Sequence, residues 1–157
     1  MELTLREVRD EDLPVLFEQW ADPVAAHMAA FTPPDHMERD AFERRWSRLR
    51  ADDTVLNRVI AVDDDVAGSI GSWGDAGERE VTYWIDPSRW GHGLATRALQ
   101  AFLEIEATRP LFARVAEHNI GSAKVLARVG FTQIGSEASY ADGVGREVVE
   151  HIYCLTP

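Results

Sequence analysis

Between Ile85 and Leu94 the chain reads Asp-Pro-Ser-Arg-Trp-Gly-His-Gly, joining an apolar run to an apolar-periodic segment. A helix starting at Leu94 opens with roughly four N–H groups that lack intrahelical partners. Ser, Thr, Asp or Asn usually answers one of them, but here Trp90, Gly91, His92 and Gly93 precede the helix. Such a turn gathers backbone donors and the positive end of a helix dipole at one point, an arrangement suited to phosphate or pyrophosphate. Gly91 and Gly93 allow close approach to the main chain, and Ala95 and Thr96 add amides and one hydroxyl. A Gly-x-Gly turn alone is also often only a turn. No Gly-Lys-Ser/Thr follows, which removes the P-loop reading. Thr96 stands where a third glycine would serve a dinucleotide fold, and a hairpin precedes it, so NAD binding is a distant alternative. A metal is not expected: His27, His36, His92, His118 and His151 are scattered, and Asp63-Asp64-Asp65 reads as a solvated turn.

The elements that must hold this turn can be read on either side of it. The segment LTLREV predicts a short strand, followed by a helix capped by Asp10 with Leu13, Leu16, Phe17 and Trp20 on one face and Pro14 in its first turn. After Pro33-Pro34, Asp35 and Glu38 have capping-box spacing before a helix carrying Phe42, Trp46 and Leu49, so two helices are expected here. Val55 to Trp73 alternates around the Asp triplet as an antiparallel hairpin, and EVTYWI makes the next strand. Leu94 to Glu106 predicts a helix with a broad apolar face. LFARVA follows as a buried strand, then a helix capped by Asn119 that runs through Val129 and stops at Gly130. FTQIGSE and REVVEHIYCL close the chain around an Ala141-Asp142-Gly143 turn. The order βααβββαβαββ implies an α/β (α+β) fold in one domain, residues 1–157: a mixed, mostly antiparallel sheet of about seven strands with helices on both faces. The strands Glu80–Ile85 and Leu111–Ala116 flank a crossover helix and should be parallel neighbours.

The chain has 157 residues and a formal charge of −11, with 27 Asp and Glu against 16 Lys and Arg. That balance repels polyanions, so nucleic acid is not an expected partner, and it favours a cationic substrate, although acidity also simply serves solubility. The single Cys154 allows no internal disulfide. A charged start and the lack of any long apolar run predict a cytoplasmic protein without membrane attachment.

The pair EVTYWIDPSRWGHGLATRAL and AEHNIGSAKVLARVGF resembles the GCN5-related N-acetyltransferases (GNAT), in particular the RimJ/RimL-like branch named for enzymes that acetylate ribosomal-protein N-termini. Trp90 stands where the wider family has Gln or Arg, a departure common in this branch, and Asn119, Ser122, Gly130 and Phe131 meet the second motif. The resemblance implies a V-shaped opening holding acetyl-CoA as co-substrate, with no metal. Its pantetheine would pair near Trp84 and Ile85 and with Asn119, and its pyrophosphate would lie on Gly91, His92, Gly93, Leu94, Ala95 and Thr96 beside Trp90. Arg89, Arg97, Lys124 and Arg128 are candidates for the adenosine end. Ser122 matches the donor to the CoA sulfur, because the tyrosine that many members place four residues later is Leu126 here. Glu80 aligns with the branch's strand glutamate and is the expected base, direct or through water. An α-amino group, with pKa near 8, asks little of it, whereas a lysine near 10.4 costs roughly 4 kcal/mol to deprotonate at neutral pH. Phe31 and Tyr140 are expected to contact the acceptor, a small-molecule amine or a peptide N-terminus. A non-catalytic acyl-CoA-binding module is the competing reading, and the oligomeric state is left open, with a homodimer allowed.

Overall fold

The computed structural model describes residues 2–157. All seven strands join one sheet: β1 (Leu3–Arg6), β2 (Leu56–Val62), β3 (Asp65–Trp73), β4 (Glu80–Ile85), β5 (Leu111–Ala116), β6 (Thr132–Ala141) and β7 (Arg146–Leu155). Their spatial order is β1-β2-β3-β4-β5-β7-β6, antiparallel throughout except between β4 and β5. The helices are α1 (Leu13–Ala21), α2 (Pro23–Ala29), α3 (Arg39–Ala51), α4 (Leu94–Phe102) and α5 (Ile120–Val129).

Alternation along β2 decides which face each helix covers. Ile60 joins the larger core, where Leu99 and Phe102 of α4 and Leu126 of α5 are buried. Its neighbour Val59 points the other way, against Leu16, Phe42 and Trp46 of α1 and α3. The β2–β3 turn falls on Asp63 and Asp64, both at positive φ, a conformation that aspartate tolerates better than most residues.

Four expectations need correction. Asp10 does not cap α1. It lies in a 3-10 turn, Asp10–Asp12, and accepts from Arg50 Nη1 at 2.6 Å. The carboxylate buried at this turn is Asp12, which accepts from Arg6 and the Arg9 amide; its hydrogen bond from Arg6 holds its carboxyl below the usual range. Second, Asp35 forms no capping box, since α3 starts after Glu38 without a side-chain cap. Third, a further helix, α2, lies between the two that were expected. Asp22 caps it by accepting from the Val24 and Ala25 amides at 2.8 and 3.1 Å, and Pro23 is its first residue. Fourth, α4 stops at Phe102, not Glu106, and the chain goes on in turns that bring the Glu106 side chain to Ser72 and Arg79.

There the Glu106 carboxylate accepts from Ser72 Oγ, Arg79 Nε and the Thr108 amide. Burial pushes its carboxyl up, but Ser72 and Arg79 outweigh this, and the net direction is down. A carboxyl lowered in the folded state stabilises above its unfolded value near 4.5 and loses that contribution as pH falls through the folded value. Arg79→Ala leaves a buried carboxylate unpaired, and a loss of about 3–5 kcal/mol is expected in urea unfolding at neutral pH. The loss should shrink when unfolding is repeated below pH ~4, where Glu106 can take a proton.

Candidate active site

β4 keeps its full ladder with β3, from Trp73↔Glu80 to Gly68↔Ile85, but pairs with β5 only at Glu80↔Phe112. Beyond that point the two strands part, so one edge of β4 from Val81 to Ile85 faces an opening instead of a partner. Two cavities meet there, sharing Ala29, Tyr83 and Trp84 in their walls.

The first, of about 460 Å³, extends from the split toward the glycine turn. Trp84, Ile85, Arg89, Trp90, Gly91, Gly93, Leu94, Ala95, Thr96, Asn119, Ser122 and Arg128 all line it, as does Lys124. His92 does not; it is exposed on the outer side of the turn, and Arg97 is likewise absent from the wall. Gly91 and Gly93 have φ of 82° and 72°, and a Cβ on either would project into open space. α4 has no side-chain cap. Among the described residues, the amides from Gly91 through Thr96 make no backbone hydrogen bond, and the first is Arg97 N–H to the Gly93 carbonyl at 3.2 Å. The turn is braced from behind: Trp90 Nε1 donates to the Ile85 carbonyl at 2.9 Å, and Arg89 lies 3.6 Å from Asp65. Backbone donors left bare at a helix start are an arrangement suited to an anionic group.

Across the split stands α5. The Asn119 side chain accepts from the Ser122 amide at 3.2 Å, capping the helix, while its amide nitrogen retains its donors for the cleft. Ser122 meets a partner that sequence reasoning missed, with a Tyr83 Oη to Ser122 Oγ distance of 2.6 Å. Burial pushes the Tyr83 phenol up to about 12, so it stays protonated through neutral pH. A phenol is the stronger acid of the two, and as donor to Ser122 Oγ it leaves the serine proton free to point into the cleft.

The second cavity, of about 400 Å³, lies on the sheet face covered by α1 and α3. Alternation sends Glu80 and Trp84 to this face and Tyr83 to the other. Trp84 is held by its Nε1–H donating to the Gln19 carbonyl at 2.9 Å. Glu80 lines this cavity beside Arg114 and Glu150. Arg114 reaches Glu80 at 3.3 Å, Glu137 at 2.6 Å and Glu150 at 3.1 Å. Burial pushes the Glu80 carboxyl up, and Arg114 opposes this without cancelling it. Phe31 is in the wall. Tyr140 is not: it is 63% exposed on β6 and lines neither cavity, so its expected contact with the acceptor is withdrawn. The hairpin that carries it does approach, through the Gly143 amide, which donates to the Ala30 carbonyl at 2.8 Å.

Among the described residues no group of three or more His, Cys, Asp or Glu is placed to hold a metal, and no helix is long and apolar enough to cross a membrane.

The cleft is thus a sheet split between two parallel strands, with a bare-amide loop at its mouth. The Acetyltransferase (GNAT) domain profile matches residues 2–132, and the chain belongs to that family, in its RimJ/RimL-like branch, as an N-acetyltransferase. An uncharacterized N-acetyltransferase p20 of Bacillus licheniformis is 26% identical over 163 residues, covering 98% of this chain and 92% of that protein. Mycobacterium smegmatis RimJ, solved with CoA-disulfide, superposes with a TM-score of 0.77 at 26% identity, over 97% of this chain and 81% of that one. The spermidine N-acetyltransferase of Vibrio cholerae, solved with CoA and spermine, gives 0.81 at 20% identity, over 98% and 95%.

Proposed function

We propose that the chain, acting as one domain, transfers the acetyl group of acetyl-CoA directly to a primary amine, both substrates being bound at once. One observation carries this reading: the bare-amide cavity and the carboxylate-lined cavity meet at Tyr83 and Trp84, where the two strands part. When bound, acetyl-CoA supplies an activated thioester. The amides of Gly91 to Thr96 hold its diphosphate, and Asn119 and the free edge of β4 orient the arm between. An amide on that edge near Trp84 or Ile85 faces the developing negative oxygen of the thioester carbonyl. Ser122, held by Tyr83, would give its proton toward the departing sulfur and regain one from solvent, to which Glu80 returns the proton taken from the amine.

Glu80 takes the proton from the acceptor. A strand rise of about 3.3 Å per residue puts it roughly 10 Å along β4 from Tyr83, farther than one water spans, so a short chain of waters carries the proton. Its raised carboxyl makes it a better base than an exposed glutamate, and an amine with pKa near 8 suits it. The test is release of free CoA thiol from acetyl-CoA across an amine panel. Turnover with at least one amine is expected, whereas tight CoA binding with no turnover on any acceptor would leave only a CoA-binding module. Substituting Glu80 and Ser122 together separates the two, because catalysis should collapse while CoA affinity stays close to wild type.

A further inference from the structure

The walls of the second cavity select among amines. Trp20, Phe31, Trp73 and Trp84 are each only partly covered, and all four line this one space. Partly exposed large rings collected around one cavity offer stacking partners to a flat apolar ligand. At the end near β7, Glu80, Glu137 and Glu150 surround the single guanidinium of Arg114, so carboxylates outnumber the cation three to one and the excess negative charge attracts an ammonium. The α3 side differs in sign. The Arg45 guanidinium lies 5.4 Å from the Trp20 ring centroid, and among the described residues no carboxylate is within ion-pair distance of it. A second ammonium carried past the rings would meet that charge, and like charges brought together at a binding surface cost several kcal/mol.

Two further groups are unspent. Gln19 and Thr32 belong to the same wall, both are buried, and Gln19 Oε1 and Thr32 Oγ1 have no hydrogen-bond partner. The Gln19 amide nitrogen donates to the Val66 carbonyl at 3.1 Å, which fixes the free oxygen as an acceptor. These two oxygens are the only buried side-chain N or O atoms without a partner among the described residues, so the wall offers little to a ligand rich in polar groups. A peptide would bring many polar groups of its own, and a wall of aromatic rings leaves most of them unpaired.

Resting on the acetyltransferase reading above, we propose that the acceptor is a compact primary amine with one cationic centre and a flat apolar body, of the arylalkylamine class. A polyamine or a peptide N-terminus does not match the cavity. Thiol release would be measured with phenethylamine and tryptamine against spermidine, cadaverine and an alanine-initiated peptide. The aryl amines are expected to show kcat/KM at least about ten-fold higher than the others, a difference of ~1.4 kcal/mol in transition-state binding. Spermidine, cadaverine or the peptide equalling them overturns the proposal while leaving acetyl transfer intact. Arg45→Glu should shift the phenethylamine-to-cadaverine selectivity toward the diamine by about ten-fold, with Arg45→Gln moving it part of the way; an unchanged ratio in both removes Arg45 from the argument and the class with it. If no amine is turned over, tryptophan fluorescence decides. Saturable quenching by phenethylamine, tighter than any change with spermidine, upholds the class even as catalysis fails. No aryl-amine effect, or one no tighter than spermidine's, overturns it.

Discussion

Ser122→Ala is expected to lower kcat about 100-fold or more while KM for acetyl-CoA changes little, because a positioned proton donor contributes roughly 10²–10⁴ to such a step. The structure adds a second arm. Tyr83 Oη lies 2.6 Å from Ser122 Oγ, and the phenol is buried. Tyr83→Phe keeps the ring and its packing but frees the serine hydroxyl to rotate, and one buried hydrogen bond of this kind carries roughly 1–3 kcal/mol. We therefore expect a kcat loss of about ten- to hundred-fold from Tyr83→Phe. In the Ser122→Ala background the same change should cost less than about two-fold, since the two hydroxyls act as one unit. Independent losses that multiply would show that Tyr83 works elsewhere. The phenol, pushed up to about 12, should contribute no ionisation to the pH–rate profile below pH ~10. A basic limb near its ordinary value of 10, absent in Tyr83→Phe, would contradict the burial that holds it neutral.

How this dyad escaped a reading of the residues shows where sequence patterns stop. Asn119 capping α5, Gly130 ending it at φ 110°, and the bounds of β4 and β5 are short-range matters, settled by neighbours along the chain. They were legible because capping and alternation act over a few positions. The partner of Ser122 is 39 residues away, on another element. The second-motif pattern looked for a tyrosine four residues on, found Leu126, and assigned the serine alone. One signal did exist, since alternation on EVTYWI puts Tyr83 on the face opposite Glu80 and so toward the crossover helices. Tyr140 failed for the converse reason: its hairpin approaches the site, but at that register position the side chain turns to solvent. His92 was carried along by a motif window whose functional content is backbone, so its side chain needed no place inside. α2 was missed because its seven residues are too few to show a helical period, although Asp22-Pro23 is a helix-start signal.

Gly93→Val should raise KM for acetyl-CoA about 100-fold with a much smaller change in kcat measured at saturation. Gly93 is the N-cap of α4 at φ 72°, in the left-handed region that a β-branched residue avoids at a cost of roughly 1–2 kcal/mol. Its missing Cβ faces open space in the cradle, so valine both strains the turn and places methyl groups where the diphosphate would lie. The strain is carried with and without ligand and so lowers stability, and the blockage alone accounts for the 100-fold, about 2.7 kcal/mol. Gly93→Ala, with one carbon and less strain, should fall between. Strain can be separated from blockage by thermal unfolding without ligand. If the Tm loss of valine accounts for the whole effect, the turn is only a turn, and CoA stabilises mutant and wild type equally. If the bare amides hold the diphosphate, the increase in Tm on adding CoA disappears in Gly93→Val while the unliganded protein loses only the strain. His92→Ala gives the contrast. Its side chain is exposed and outside the cradle, and its backbone amide is retained, so KM for acetyl-CoA should stay within about two-fold of wild type.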